Sequence, residues 1–162
     1  MRVKMTRSSI PALLAVCAGL AVAGCTITIG VPADGNPPAP TTMTVKVVNH
    51  TDKPLDPQIY VGSVSAGLDG LFAAANQQTS FGFAGLGLVE AGKEASFTIG
   101  CDQHVYIATA GGVFGDDLSA PIAQGQQIVL EQDLSVRCGD VAQFTFTASG
   151  DALHTSVSIA QQ

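Results

Sequence analysis

Alternation of apolar and polar residues with a period of two is the feature that most constrains this 162-residue chain. In residues 141–148, Phe144 and Phe146 fall on one side of an extended backbone, and the polar residues between them fall on the other. Residues 153–160 alternate in the same way, with His154 on the polar side. Because successive side chains of a β-strand point to opposite faces, this period predicts half-buried antiparallel strands.

Five further segments have strand-like patterns, and turn-forming stretches such as Asp52-Lys53-Pro54 and Ser149-Gly150-Asp151 separate them. The segments are residues 44–49, 58–64, 95–100, 104–110 and 127–131. Seven short strands with turns between them are typical of a sandwich. We therefore predict an all-β domain, an antiparallel β-sandwich that is roughly immunoglobulin-like in size.

Residues 65–89 interrupt this pattern with a Gly-rich segment, which we call the insertion. Residues 68–77 are compatible with a short helix that has Asp69 near its N-terminus. Twenty-five residues is long for a connection inside a sandwich, and such segments are often functional. We expect the insertion to cover an open edge of the sandwich and to complete the core, and a binding site is the alternative. The core residues it would supply are Leu71, Phe72, Phe81, Phe83 and Leu86.

The balance of charges argues against one class of partner. Charged residues make up 12% of the chain, about half the usual fraction of roughly 25%. The formal net charge is −6, whereas a nucleic-acid-binding protein should carry a basic stripe. We expect no nucleic-acid partner.

The N-terminus has the organisation of an export signal. Three of the seven basic residues, Arg2, Lys4 and Arg7, precede an uncharged apolar stretch at residues 10–23. This stretch has 14 residues, whereas a membrane-spanning helix needs about 20. The pattern predicts a cleaved signal and not a transmembrane anchor.

At the end of this stretch, the residues Val22-Ala23-Gly24-Cys25 resemble the lipobox of bacterial lipoproteins. The resemblance implies a diacylglyceryl group on the Cys25 thiol, cleavage between Gly24 and Cys25, and acylation of the new amino terminus with a chain such as palmitate. Two or three acyl chains hold a protein durably on a membrane, whereas one does not. An ordinary secretory signal with a chance cysteine is the alternative.

The lipobox resemblance also implies a location. The protein would be exported to the cell envelope and anchored to the membrane through Cys25. If the envelope is Gram-negative, an aspartate at position 26 would favour the inner membrane. The residue there is Thr26, which favours the outer membrane.

Removal of residues 1–24 would leave four basic and thirteen acidic residues, a formal net charge of −9. Residues 25–42 are rich in proline, which predicts a semi-extended tether that reaches up to about 50 Å from the bilayer. Residues 43–162 then form the β-sandwich domain, which is a comfortable size for one core.

Two cysteines, Cys101 and Cys138, remain after Cys17 is removed with the signal and Cys25 is acylated. Two cysteines in an exported domain most simply form a disulfide. Closing a loop of about 38 residues would contribute on the order of 4 kcal/mol to the stability of the fold. Each cysteine lies just before a predicted strand.

The titratable residues do not form a recognisable catalytic set. No G-x-S-x-G sequence accompanies His50, His104 or His154, and we expect neither an enzyme nor a cofactor. A hydrolase would require His104 and an acid such as Asp102 or Asp140 to meet a serine.

Calcium is the metal that the sequence excludes least. Asp116 and Asp117 lie in a Gly-rich loop, and Asp102, Asp140 or Asp151 would have to converge with them at one end of the sandwich. Aspartates that simply form turns are the alternative.

Taken together, these features predict a non-enzymatic, membrane-anchored envelope lipoprotein. It would present a disulfide-bonded β-sandwich to an envelope protein or polymer. The alternative is a module that binds a small ligand or calcium through the insertion or the Asp-rich loops.

Overall fold

Seven β-strands form the domain in the computed structural model, which describes residues 37–79, 81–82, 87–115 and 123–161. The strands are β1 (Thr42–Asn49), β2 (Leu55–Ser63), β3 (Glu94–Gly100), β4 (Val105–Phe114), β5 (Ala123–Glu131), β6 (Val141–Ser149) and β7 (Ala152–Ala160). Each of the seven predicted segments coincides with one strand to within a few residues at its ends, so the all-β prediction is confirmed. The lipobox, Phe83, Leu86, Asp116 and Asp117 lie outside the described residues.

Two sheets form the layers of the sandwich, one in the order β3-β1-β6-β7 and one in the order β2-β4-β5. All but one of the strand pairs are antiparallel, as predicted. The exception is β1 with β6, which pair in parallel from Thr44 with Val141 to Asn49 with Phe146. The chain reaches β6 from the end of the sandwich where β1 also begins, which makes the two strands run the same way. We call this the attachment end.

The core lies between the two sheets, and the alternation that predicted the strands places the side chains in it. Phe144 and Phe146 are fully buried, while Gln143, Thr145 and Thr147 lie on the other face of β6. The two phenylalanines pack in one apolar cluster with residues of both sheets. These include Met43, Val45 and Val47 of β1 and Leu55, Ile59 and Ile107 of the facing sheet.

Asn49 ends β1 and is a fully buried polar residue. Its side-chain amide donates hydrogen bonds to the carbonyl oxygens of Lys53 at 2.8 Å, Val89 at 2.9 Å and Glu90 at 3.2 Å. Its Oδ1 accepts from the backbone N–H of Thr51 at 2.9 Å and from the Thr51 hydroxyl at 2.7 Å. This one side chain therefore fastens the β1–β2 turn and the end of the insertion to β1.

The insertion contains less helix than residues 68–77 suggested. Two 3-10 turns, Val64–Ala66 and Ala74–Asn76, are the helical elements in its described part, and Asp69 lies in a turn before the second. A helix of about ten residues gains little from its few internal hydrogen bonds. The glycines at positions 67 and 70 also favour turns, and Gly67 has a φ of 74°.

Candidate functional site

The insertion is hydrogen-bonded to the exposed edge of β2 at two points. Near its middle, the N–H of Gln78 donates to the carbonyl of Ile59 at 2.8 Å. At its end, Leu55 and Val89 exchange two backbone hydrogen bonds of 2.9 and 2.8 Å. The described part of the insertion therefore covers the edge of β2, as expected. Of the core residues expected from it, Phe81 packs on the core between the sheets, whereas Leu71 and Phe72 belong to a separate cluster.

Apolar contacts hold the first half of the insertion on the outer face of the three-stranded sheet. Leu71 is only 1% exposed and packs with Tyr60 and Ala108, while the Phe72 and Tyr60 rings meet edge to face at 5.2 Å. A Cβ at Gly62 would lie 2.8 Å from the Leu71 Cδ1. The absence of a side chain at Gly62 thus makes room for Leu71.

A groove lies where the second half of the insertion passes β3, and we call it the insertion groove. Its apolar wall consists of Phe81, Leu88, Val89 and Ala95. Its rim carries Glu90, Lys93 and Glu94. Its volume of about 480 Å³ falls within the range of about 300–1,000 Å³ that is usual for ligand pockets.

The charges on this rim nearly balance. Glu94 forms an ion pair with Lys46 at 2.6 Å, which leaves Glu90 and Lys93 with opposite charges beside the opening. Phe81 packs on Phe97 with ring centroids 5.0 Å apart. The groove therefore suits an apolar molecule without net charge.

Sequence reasoning named the insertion as a possible ligand site, with Phe81 as a core residue, but it missed the contribution of β3. Leu88, Val89 and Ala95 give no separate signal, because they meet only where the edge strand β3 lies beside the returning insertion.

Two titratable groups on the outer face of β2 have shifted pKa values. Burial raises the pKa of the Asp56 carboxyl. Burial, and to a lesser extent the nearby Asp56 charge, raises the pKa of the Tyr60 phenol. Its hydroxyl donates to the Gln58 Oε1 at 3.3 Å.

The structure pairs His104 with an acid that the sequence did not suggest. Its Nε2 lies 3.2 Å from the Asp133 Oδ2 and 2.7 Å from the Gln132 carbonyl oxygen. Both partners are oxygen acceptors, so the Nε2–H of His104 is the donor in these contacts. Among the described hydrogen bonds, none joins His104 to a serine hydroxyl. The Asp140 carboxylate instead accepts from the backbone N–H of Arg137 at 2.8 Å.

The three calcium candidates that the structure describes lie at two different ends of the sandwich. Asp102 and Asp140 lie beside the start of β1, where Thr44 donates to the Asp140 carbonyl, whereas Asp151 lies in the β6–β7 turn at the opposite end. Within the described ranges, no three His, Cys, Asp or Glu side chains are grouped to hold a metal ion. Calcium binding through Asp116 and Asp117 stays a prediction, because both lie outside those ranges.

The predicted disulfide joins Cys101 to Cys138 with a Cα–Cα distance of 6.1 Å. Cys101 follows β3 and Cys138 precedes β6, and these strands are the two neighbours of β1. The N–H of Cys101 donates to the Thr41 carbonyl, and that of Gly139 donates to the Thr42 carbonyl, both at 2.8 Å. The covalent bond therefore links the two sides of β1 at the point where the chain enters the domain.

Comparison with known proteins adds no assignment to these features. The chain matches no known protein family and no curated protein. In the part of the chain that the structure describes, no helix is long and apolar enough to cross a membrane. The function has to be argued from the geometry of the domain itself.

Replacing Gly62 with valine should detach the first half of the insertion. The added side chain would collide with Leu71 and Asn76 of the insertion. The control is Gly70→Ala, in the insertion itself, where the added methyl group would lie in open space. We expect chymotrypsin to cleave Gly62→Val rapidly after Leu71 or Phe72 and to leave Gly70→Ala as resistant as the wild type. Equal cleavage of the two variants would show that Leu71 is not held by this contact.

Proposed function

We propose that this protein is a non-enzymatic lipoprotein of the cell envelope, anchored through acylated Cys25, that presents its β-sandwich to an envelope protein or polymer. The observation that carries the proposal is the position of the Cys101–Cys138 bond. It lies beside Thr41 and Thr42, where the Pro-rich segment joins the domain. A covalent link there keeps the point of attachment folded.

The direction of the strands supports this arrangement. The nine residues of β6 span about 30 Å from the attachment end to the opposite end. The β1–β2 and β6–β7 turns lie at that opposite end, together with exposed residues such as His50, Asp52 and Asp151. A domain tethered at the start of β1 would turn these loops away from its membrane.

The chemistry of the titratable groups supports a binding role and not catalysis. The His104–Asp133 pair lies in a surface turn, with side chains 49% and 62% exposed. A nucleophilic site needs a base that reaches a nucleophile, and the hydrogen bonds described for His104 go to acceptors only.

The anchoring is tested by the replacement of Cys25. In a bacterial host grown with an alkyne analogue of palmitate, wild-type protein should be labelled and recovered in the membrane fraction. Cys25→Ala should lose the label, because the acylated thiol is gone. Cys17→Ala should keep it, because Cys17 is in the apolar stretch of the signal.

Mass spectrometry of the mature N-terminus completes this test. Acyl chains on a protein that begins at Cys25 are the expected result. A label that survives Cys25→Ala, or a wild-type N-terminus without acyl chains, would contradict the anchoring.

The insertion groove favours a second candidate function, the binding of a small apolar ligand. Its four apolar residues and its balanced rim suit an uncharged molecule. This function is compatible with anchoring, since the groove is formed by the insertion and β3 and not by the attachment end.

The neutral fluorophore N-phenyl-1-naphthylamine provides a direct probe of the groove. Its fluorescence should rise with the wild-type protein and fall with Ala95→Phe, which fills the groove. Ser96→Phe, on the exposed face of the same strand, should behave as wild type. If the fluorescence does not rise with the wild type, or rises equally with both variants, the ligand-binding hypothesis is wrong.

A further inference from the structure

Strand β7 is an edge strand whose outer backbone groups can be assigned residue by residue. The carbonyls of Asp140 and Phe146 face β1, so the odd-numbered residues of β6 face β7. The register pairs those residues with the even-numbered residues of β7, without a bulge over all nine pairs. The N–H and C=O groups of the odd-numbered residues therefore point away from the sheet. These residues are Leu153, Thr155, Val157 and Ile159.

No backbone group in the described parts of the chain pairs with this outer edge. β7 also lacks the features that usually protect an exposed edge, because Ala152–Ala160 contains no charged residue, no proline and no glycine. The other edge strands, β2, β3 and β5, each have a feature that hinders pairing. The insertion covers β2, the first residue of β3 is Glu94, and β5 has an irregular register opposite β4.

The inner face of β7 packs against β5 and β4 of the facing sheet, but they cover it incompletely. Leu153 is buried, but Val157 and Ile159 are only half-buried although they face the core. The outer face carries His154, Ser156 and Ser158, which are exposed. A further strand at this edge would pair free backbone groups and cover apolar surface at once.

We propose that β7 of one copy of this chain pairs with β7 of a second copy. The two strands run antiparallel, about a two-fold axis at Ser156. In this register Leu153 lies opposite Ile159 and Thr155 opposite Val157, so every outward-facing N–H and C=O of both strands is paired. Opposed β-branched and aliphatic side chains stabilise such a pair. The two four-stranded sheets become one continuous sheet.

The self-complementarity of β7 is the argument for a second copy over a strand from another protein. The register that pairs all four outward-facing residues also places apolar residues opposite apolar residues and opposes no two charges. If the two-fold axis moved by one residue, to Thr155, Asp151 would lie opposite Ile159. An apolar residue would then face a charged one. A two-fold contact of this kind closes on itself and produces a dimer and not a filament.

Cysteine at the two-fold axis tests the register. Ser156 faces its own counterpart as a non-hydrogen-bonded pair, at a Cα–Cα distance of about 4.5 Å, within the span of a disulfide. Cys101 and Cys138 are already bonded, so the new thiol does not compete with them. Full-length Ser156→Cys should form a disulfide-linked dimer in intact cells. Ser158→Cys should form far less, because each Ser158 lies opposite His154 of the other copy.

Opposed charges at the same position provide the second readout. Sedimentation of the purified full-length protein should show that Ser156→Glu dimerises several-fold more weakly than the wild type. Ser156→Gln should keep the dimer, and circular dichroism should show both variants folded. Equal cross-linking at positions 156 and 158, cross-linking of Ser156→Cys to another polypeptide, or a monomeric wild type without cross-linking would each overturn the proposal.

Discussion

The buried amide of Asn49 is the interaction on which one end of the sandwich depends. Its side chain joins the end of β1 to the turn that leads into the second sheet, through Lys53, and to the end of the insertion, through Val89 and Glu90. Its backbone N–H also donates to the carbonyl of Lys93, just before β3. The same carbonyls also accept from the Thr51 hydroxyl and from the N–H groups of Leu55 and Lys93. The buried Thr51 N–H, in contrast, donates to the Asn49 Oδ1, and a buried donor that loses its acceptor is costly.

The two ends of β1 are held by different means, and the difference matches the proposed role. The disulfide joins the neighbours of β1 at the start of that strand, and the Asn49 amide binds the turns at the opposite end. A domain fixed at both ends would hold its exposed loops in position if, as we propose, the Pro-rich segment links it to a membrane. The insertion covers the edge of β2, whereas no strand of the described structure is hydrogen-bonded to the outer edge of β7.

Local pattern was sufficient to predict the strands, and long-range pairing was not accessible to it. The alternation around Phe144 and Phe146 specifies which face is buried whatever strand lies beside it. The parallel pairing of β1 with β6, the His104–Asp133 contact and the insertion groove each join segments that are distant in the sequence. Nothing in the sequence distinguishes Asn49, because three carbonyls converge on its amide only in the folded chain.

The unfolding free energy of Asn49→Ala, measured by chemical denaturation, tests this account most directly. The matched variant is Asn76→Ala, because the Asn76 amide also donates to two carbonyls but lies in the partly exposed insertion. The account predicts a loss of about 3 kcal/mol for Asn49→Ala and less than about 1 kcal/mol for Asn76→Ala. Equal losses, or an Asn49→Ala variant as stable as the wild type, would contradict the central role of the Asn49 amide.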